Sequence, residues 1–284
     1  MKTPFLSIII PALNEEKFIP KLLTDIKKQK YKNFEVIVID GDSDDKTRQV
    51  AESYAEYYTI TVVNAKRRNL SFQRNLGGEI AKGEYLVFID ADSRIRPSFT
   101  YNLHNEIHKS KYLILLPTIV PDKGSQTDKV WFALINFLTE MSQSVGKPAP
   151  SIGCMVFQKG FFDFLGGYQV NNNQDKKTFF PEDHDIILRA RKSGVIGKCM
   201  KSVKVGFSLR RARKEGRLSL ITKYMRSAIH MSLHGKIDKK AFEYEMGGHT
   251  YMNGKGSGAK LNSAELADIL NQFKSAFKEL IQEK

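Results

Sequence analysis

"LSIIIPALNE", residues 6–15, is a short apolar run rich in β-branched side chains, stopped at Pro11 and followed at once by Asn14 and Glu15. It is too short for a core helix and does not alternate, so it reads as a strand buried on both faces. The pattern recurs. FEVIVI at 34–39 ends on Asp40, Ile60–Val63 is a shorter strand, and YLVFI at 85–89 ends on Asp90. Between these runs, Phe18–Ile26, Lys46–Tyr57 and Phe72–Ala81 carry apolar residues at helical spacing. Continuous apolar strands alternating with helices predict a mostly parallel sheet, Rossmann-like, with helices on both faces. Ligands of such sheets lie beyond the carboxyl ends of the strands. The polar residues sit there: Asn14 and Glu15 after the first strand, Asp40, Asp42, Asp44 and Asp45 after the second, Asp90 and Asp92 after the fourth. Three loops at one sheet edge are expected to converge on a single site.

Beyond Arg96 the pattern loosens. Tyr112–Leu116 and Gly153–Phe157 read as strands, Val130–Met141 and Asp185–Lys192 as helices, and Gly247–Gly258 as a linker. From Leu261 the residues Leu266, Ile269, Leu270, Phe273, Phe277, Leu280 and Ile281 keep helical spacing, and Asn262 with Glu265 resembles a capping box. The last segment is therefore expected to be an amphipathic helix. The expected division is a first half over 1–92, a second half of the same domain over 93–230, and a linker with C-terminal helix over 231–284.

Among 284 residues the net charge is +14, and it is uneven: residues 198–226 hold ten Lys and Arg against the single acid Glu215. Such charge attracts nucleic acid, anionic lipid or phosphorylated substrates. A uniformly basic nucleic-acid binder has no use for acidic knots at 40–45, 90–92 and 182–185, so nucleic acid is not the expected partner. Cys154 and Cys199 lack metal-type spacing and read as free thiols of a reducing cytoplasm. The chain enters its first strand by Phe5, without the apolar run and cleavage site of a secretory leader, and no apolar run reaches bilayer length. The expected location is the cytoplasm, including the inner face of the membrane.

Several motifs fail on inspection. Asp40-Gly41-Asp42-Ser43-Asp44 begins like a calcium loop, but Asp45 and Ala51 stand where glycine and glutamate are needed. Gly248–Gly256 lacks phosphate-loop spacing, and His230 and His234 lack the adjacent glutamate of a zinc-protease helix. Asp90-Ala91-Asp92 is different. Two carboxylates at a strand end offer hard oxygen ligands to Mg²⁺ or Mn²⁺, which keep waters and share substrate phosphates. The plainer alternative is a pair of solvated strand-end aspartates.

Context decides between them. Ser7–Glu15, Glu35–Thr47, Gln73–Gly77, Lys82–Asp92, Gly166-Gly167-Tyr168 and Pro181–Asp185 stand in the order found in the family 2 glycosyltransferases, which the chain resembles over roughly residues 5–220. The second loop departs from the family, reading DGDSDD where DGGS or DDGS is commoner. The resemblance implies a GT-A fold and transfer of a sugar, with inversion, from a UDP- or GDP-sugar to an acceptor hydroxyl or lipid phosphate. It implies that Pro11, Ala12, Asn14, Glu15 and Asp40, with Asp42, hold the base and ribose. Arg74 would steady the nucleotide, Asp90 would face ribose or metal, and Asp92 would ligate Mg²⁺ or Mn²⁺. Asp183 would be the general base, with Glu182 its alternate; a charge-favoured helix start is the plainer reading of that pair. Arg210 or Arg211 would grip a diphosphate, since a guanidinium fork suits it. An unknown acceptor, lipid-linked to match the basic surface, and peripheral membrane contact complete the expectation. A nucleotidyltransferase would want a glycine-rich basic loop after the first strand, and a non-catalytic binder of nucleic acid or membrane would not need the carboxylates.

Overall fold

The computed structural model describes residues 3–144, 148–151, 153–170 and 182–210. The elements run β1 (Leu6–Ala12), α1 (Ile19–Lys27), β2 (Phe34–Asp40), α2 (Thr47–Glu52), β3 (Ile60–Asn64), α3 (Leu70–Ile80) and β4 (Tyr85–Ile89). There follow β5 (Arg94–Ile95), α4 (Phe99–Ser110), β6 (Ile114–Pro121), α5 (Gln126–Ser144), β7 (Cys154–Gln158), α6 (Lys159–Phe164), α7 (Glu182–Lys192) and β8 (Lys198–Phe207).

The described strands form one sheet in the order β3-β2-β1-β4-β7-β6-β8-β5. Its first four are parallel, as the apolar runs require. β7 is antiparallel to both neighbours, and β6 returns parallel to β8. Alternate residues serve opposite faces. Ile8, Ile10, Val36, Val38, Val87 and Ile89 pack with Leu22 and Ile26 of α1 and with Leu103 and Ile107 of α4. Ile9, Ile37, Ile39, Leu86 and Phe88 pack on the other face with Phe162 of α6 and Ile186 and Ile187 of α7. Each fully buried Leu or Ile contributes about 1.5–3 kcal/mol, and the buried polar pair in these strands, Ser7 and Glu35, is joined by a 2.7 Å hydrogen bond.

Three expectations need correction. β1 runs through Pro11 to Ala12 rather than stopping at the proline. β1 pairs with β4 only as far as Ile9, so the missing Pro11 N–H falls where that ladder has ended. α2 is much shorter than the predicted Lys46–Tyr57, giving way after Glu52 to turns around Ser53 and Tyr54. The basic run at 198–226 opens with a ten-residue strand, β8, whose exposed Lys198, Lys201 and Lys204 alternate with buried Met200, Val203 and Val205. The predicted C-terminal helix and linker, with Arg211, His230, His234 and His249, lie outside the described residues.

Candidate functional site

The loops after β1 and β2 are locked to each other. Asn14, at φ 54°, sits in the left-handed region that asparagine tolerates. Its N–H donates to Ser43 Oγ at 2.9 Å, and its Oδ1 accepts from the Asp44 N–H at 2.8 Å. The Glu15 N–H donates to Thr47 Oγ1 at 2.8 Å, and the Glu16 N–H to Asp45 Oδ2 at 3.2 Å. Asn14 thus braces the two loops. Asp44 also takes a guanidinium hydrogen bond from Arg68 at 2.7 Å. Beneath them Gln73 of α3 donates through Nε2 to the carbonyls of Ala12 and Ile39, each at 2.9 Å. A Cβ at Gly41 would stand 2.7 Å from that Nε2, so the DGD turn needs its glycine. Pro11 and Ala12 are buried in β1, and Ala12 serves the site through its carbonyl.

Asp40 closes β2 with its side chain fully buried. Oδ2 accepts from the Ser43 N–H at 3.0 Å and lies 3.5 Å from Arg48 Nε. Oδ1 is buried with no hydrogen-bond partner among the described residues. Asp42 stands apart from the carboxylate cluster, facing Asn64 across 3.3 Å at the sheet's outer end.

Two arginines organise the remaining carboxylates. Arg74 of α3 is 5% exposed, not a surface arginine. It reaches Asp183 at 2.7 Å, Glu182 at 3.0 Å and Asp90 at 3.4 Å, and lies over the Tyr168 ring at 5.1 Å. Residues 90 and 182–183, far apart in the chain, therefore meet at one guanidinium. Arg210, just past β8, bridges Glu15 at 2.5 and 2.8 Å and Asp92 at 2.9 Å, with Phe18 under its guanidinium at 4.4 Å.

Burial, opposed by Arg210, pushes the Glu15 carboxyl up to about 7. Burial and then the neighbouring Asp183 charge push Glu182 up to about 7. Burial also raises Asp183, against the pull of Arg74. His184, between these acids and Asp185, is lowered to about 4 by burial and is neutral at pH 7.

Residues quoted in the motifs but given no role there, together with Arg189, hold this arrangement in place. The turn Gly166-Gly167 has both φ angles positive, 72° and 66°, which glycine adopts without strain. Arg189 donates to the Leu165 and Gly167 carbonyls at 2.5 and 2.7 Å and pairs with Asp185 at 2.8 Å. Asn75 clamps Tyr168, donating to its carbonyl and accepting from its N–H at 2.8 Å each. The turn so held puts Tyr168 beneath Arg74. Its hydroxyl is buried with no hydrogen-bond partner among the described residues. The i,i+4 spacing of Asp185 and Arg189 was the one readable signal for this support.

A metal is tested by donor chemistry. Asp90 and Asp92 are hard oxygen donors, and each already holds a cationic guanidinium, which stands in for a cation. Among the described residues no group of three His, Cys, Asp or Glu side chains could hold a metal ion. Two carboxylates fit an ion that takes its other ligands from phosphate and water. Cys154, buried beside Asp90, and Cys199, half-buried, are both free thiols. Among the described residues no helix is long and apolar enough to cross a membrane.

Comparison with known proteins agrees with this geometry. The family model described as glycosyl transferase family 2 matches residues 7–166. The putative glycosyltransferase EpsH of Bacillus subtilis is 34% identical over 98 residues, 34% of this chain and 28% of EpsH. The poly(ribitol-phosphate) beta-N-acetylglucosaminyltransferase TarS of Staphylococcus aureus is 34% identical over 93 residues, 31% of this chain and 16% of TarS. The chain thus matches less than a third of the length of either relative. In structure, TarS 1–349 in complex with UDP-GlcNAc superposes with TM-score 0.59 at 19% identity, covering 80% of this chain and 66% of that one. The mannosyltransferase PcManGT of Pyrobaculum calidifontis, in complex with GDP-Man and Mn²⁺, superposes with TM-score 0.62 at 18% identity, covering 86% and 68%. The fold is GT-A: a mostly parallel sheet flanked by helices.

Proposed function

Because the chain belongs to glycosyl transferase family 2, we propose that it moves a sugar, with inversion and metal assistance, from a nucleotide-diphosphate sugar to an acceptor hydroxyl or lipid phosphate. The observation that carries the reading is the Arg74 junction, where strand-end Asp90 meets Glu182 and Asp183 of α7. Donor-binding and proton-accepting groups are thereby brought within one site.

Asp183 is the base. Arg74 contacts it at 2.7 Å, closer than Glu182, and favours its ionised form against burial. Glu182, pushed up to about 7, carries the proton that the crowded pair retains. Asp183 accepts the acceptor's proton as that oxygen attacks the anomeric carbon. The bond from that carbon to the diphosphate oxygen breaks, its electron pair leaving with the diphosphate. Attack from the opposite side inverts the anomeric centre.

The donor base and ribose would lie between the β1 and β2 loops, with Asp40 buried beneath them and holding the second loop through the Ser43 N–H. Asn14, spent on Asp44, acts by holding these loops together. Asp92, with Asp90, would hold Mg²⁺ or Mn²⁺, and the ion when bound would supply Lewis-acid stabilisation of the leaving diphosphate. Arg210, now on Asp92, would then be free to turn its fork to the phosphates. The UDP-GlcNAc and GDP-Man complexes of TarS and PcManGT support the donor class, and the Mn²⁺ of PcManGT supports the metal.

The test is a panel of UDP- and GDP-sugars, scored by release of free nucleotide with Mn²⁺ present. At least one donor is expected to be turned over by the wild type and not by Asp183→Asn. Release from none, or equal release by the variant, contradicts the reading.

A further inference from the structure

α5 is the longest helix described, and its centre reads VWFALINFL, residues 130–138. A helix this apolar belongs inside a protein. Its buried residues are instead Asp128 and Gln143. Val130, Leu134, Phe137 and Met141 are 69%, 42%, 56% and 37% exposed. They follow one another at intervals of four, three and four residues. That spacing keeps the four on one side of the helix, as a face along which a second helix packs requires. A lipid surface is better served by a broad apolar face with a charged back.

The chain itself contains the matching stripe. Leu266, Leu270, Phe273, Phe277 and Leu280 follow at intervals of four, three, four and three. As a helix, residues 266–280 would extend about 22 Å, against about 28 Å for α5, at about 1.5 Å per residue. The described chain ends beside α5. The Phe207 and Phe132 rings lie 5.8 Å apart, and Lys201 of β8 pairs with Glu140 of α5 at 3.2 Å. Residues 211–265 lie between that point and the second stripe, far more than the distance requires.

We propose that the exposed stripe of α5 is the docking surface for this chain's own C-terminal segment, Leu266–Leu280, packed along it as a helix pair. Tethering makes the contact intramolecular, at an effective concentration that a separate partner does not reach. The proposal is independent of the chemistry assigned to the site.

The test places cysteines at the centres of the two stripes, Phe137→Cys with Phe273→Cys, in the full chain with its native thiols removed as Cys154→Ala and Cys199→Ser. Central positions meet whether the pair runs parallel or antiparallel. A short bis-maleimide at low protein concentration is expected to link the two within one chain, with neither single variant linking. As a check that does not depend on the cysteine variants, hydrogen exchange of α5 amides should quicken about tenfold or more in Phe273→Asp while β1–β4 stay protected. Links found only between chains would assign the stripe to a second copy. Vesicles of anionic lipid being needed to shield Phe137→Cys would assign it to a membrane. Either result, or no link with unchanged α5 exchange, overturns the proposal.

Discussion

Arg74 and Arg210 stand at the two ends of one row of carboxylates and do different work. Arg74 comes from a helix in the folded interior, is 5% exposed, and touches three acids. Arg210 follows β8, keeps 18% of its side chain exposed, and touches Glu15 and Asp92. The first joins two halves of the sequence and cannot leave without stranding buried charge. The second neutralises Glu15 and Asp92, which under the proposed function face a metal and a diphosphate. On that reading the same side chain is a fixture at one end and an exchangeable counter-ion at the other.

The sharpest way to break this contrast is at the base. Asp183→Asn should lower kcat by about 10²–10⁴-fold, as loss of a general base does. Glu182→Gln should cost less, because Glu182 already carries the shared proton. Equal losses in steady-state assays would mean that Arg74 does not distinguish them.

Stability comes next. Arg74→Ala should lower the unfolding free energy by about 3–5 kcal/mol, since it strands buried carboxylates. Arg210→Ala should cost less, because its buried partner Glu15, pushed up to about 7, can take up a proton once the guanidinium is gone. Denaturant titration of the two variants measures the difference directly.

Arg210→Ala should instead act on ligands. Losing charge-assisted contacts to the diphosphate should raise the donor KM about tenfold or more. With Arg210 gone from Asp92, Mn²⁺ should bind the donor-free variant more tightly than the wild type. Spin resonance of free Mn²⁺ reads this without any turnover, and weaker binding would refute the exchange.

The smallest effect is in pH. The Glu15 carboxyl is raised from 4.5 to about 7, so the folded state prefers it protonated. Its stabilising contribution is complete below the unfolded value and is lost as pH rises through about 7. The melting temperature of the wild type should therefore fall by a few degrees relative to Glu15→Gln between about pH 5 and pH 8. A constant gap in calorimetry would deny the burial assigned to Glu15.

The same contrast explains what could be read from the chain. β1, β2 and β4 were legible because burial on both faces favours short runs dominated by Val, Ile, Leu and aromatic residues. The strand-end acids were legible because a parallel sheet puts its ligands there. β8 was missed because only one of its faces is buried, so lysines alternate with apolar residues and imitate a solvated basic run. α4, reading FTYNLHNEIHKS, was missed because it buries only a thin stripe through Phe99, Leu103 and Ile107. The resemblance singled out Arg74 for the nucleotide, but its junction with Glu182 and Asp183 was not legible, since those partners lie more than a hundred residues away. Asn14 looked like a ligand group, though Asp44, brought near only by folding, occupies it.

The central claim is that Asp92 belongs to a metal-assisted nucleotide site which Arg210 fills until the donor arrives. It is tested most directly by calorimetric titration of UDP and of GDP in the presence of Mn²⁺. The account predicts that the wild type binds at least one of them and that Asp92→Ala abolishes the binding. Failure of the wild type to bind either nucleotide, or undiminished binding by Asp92→Ala, would contradict it.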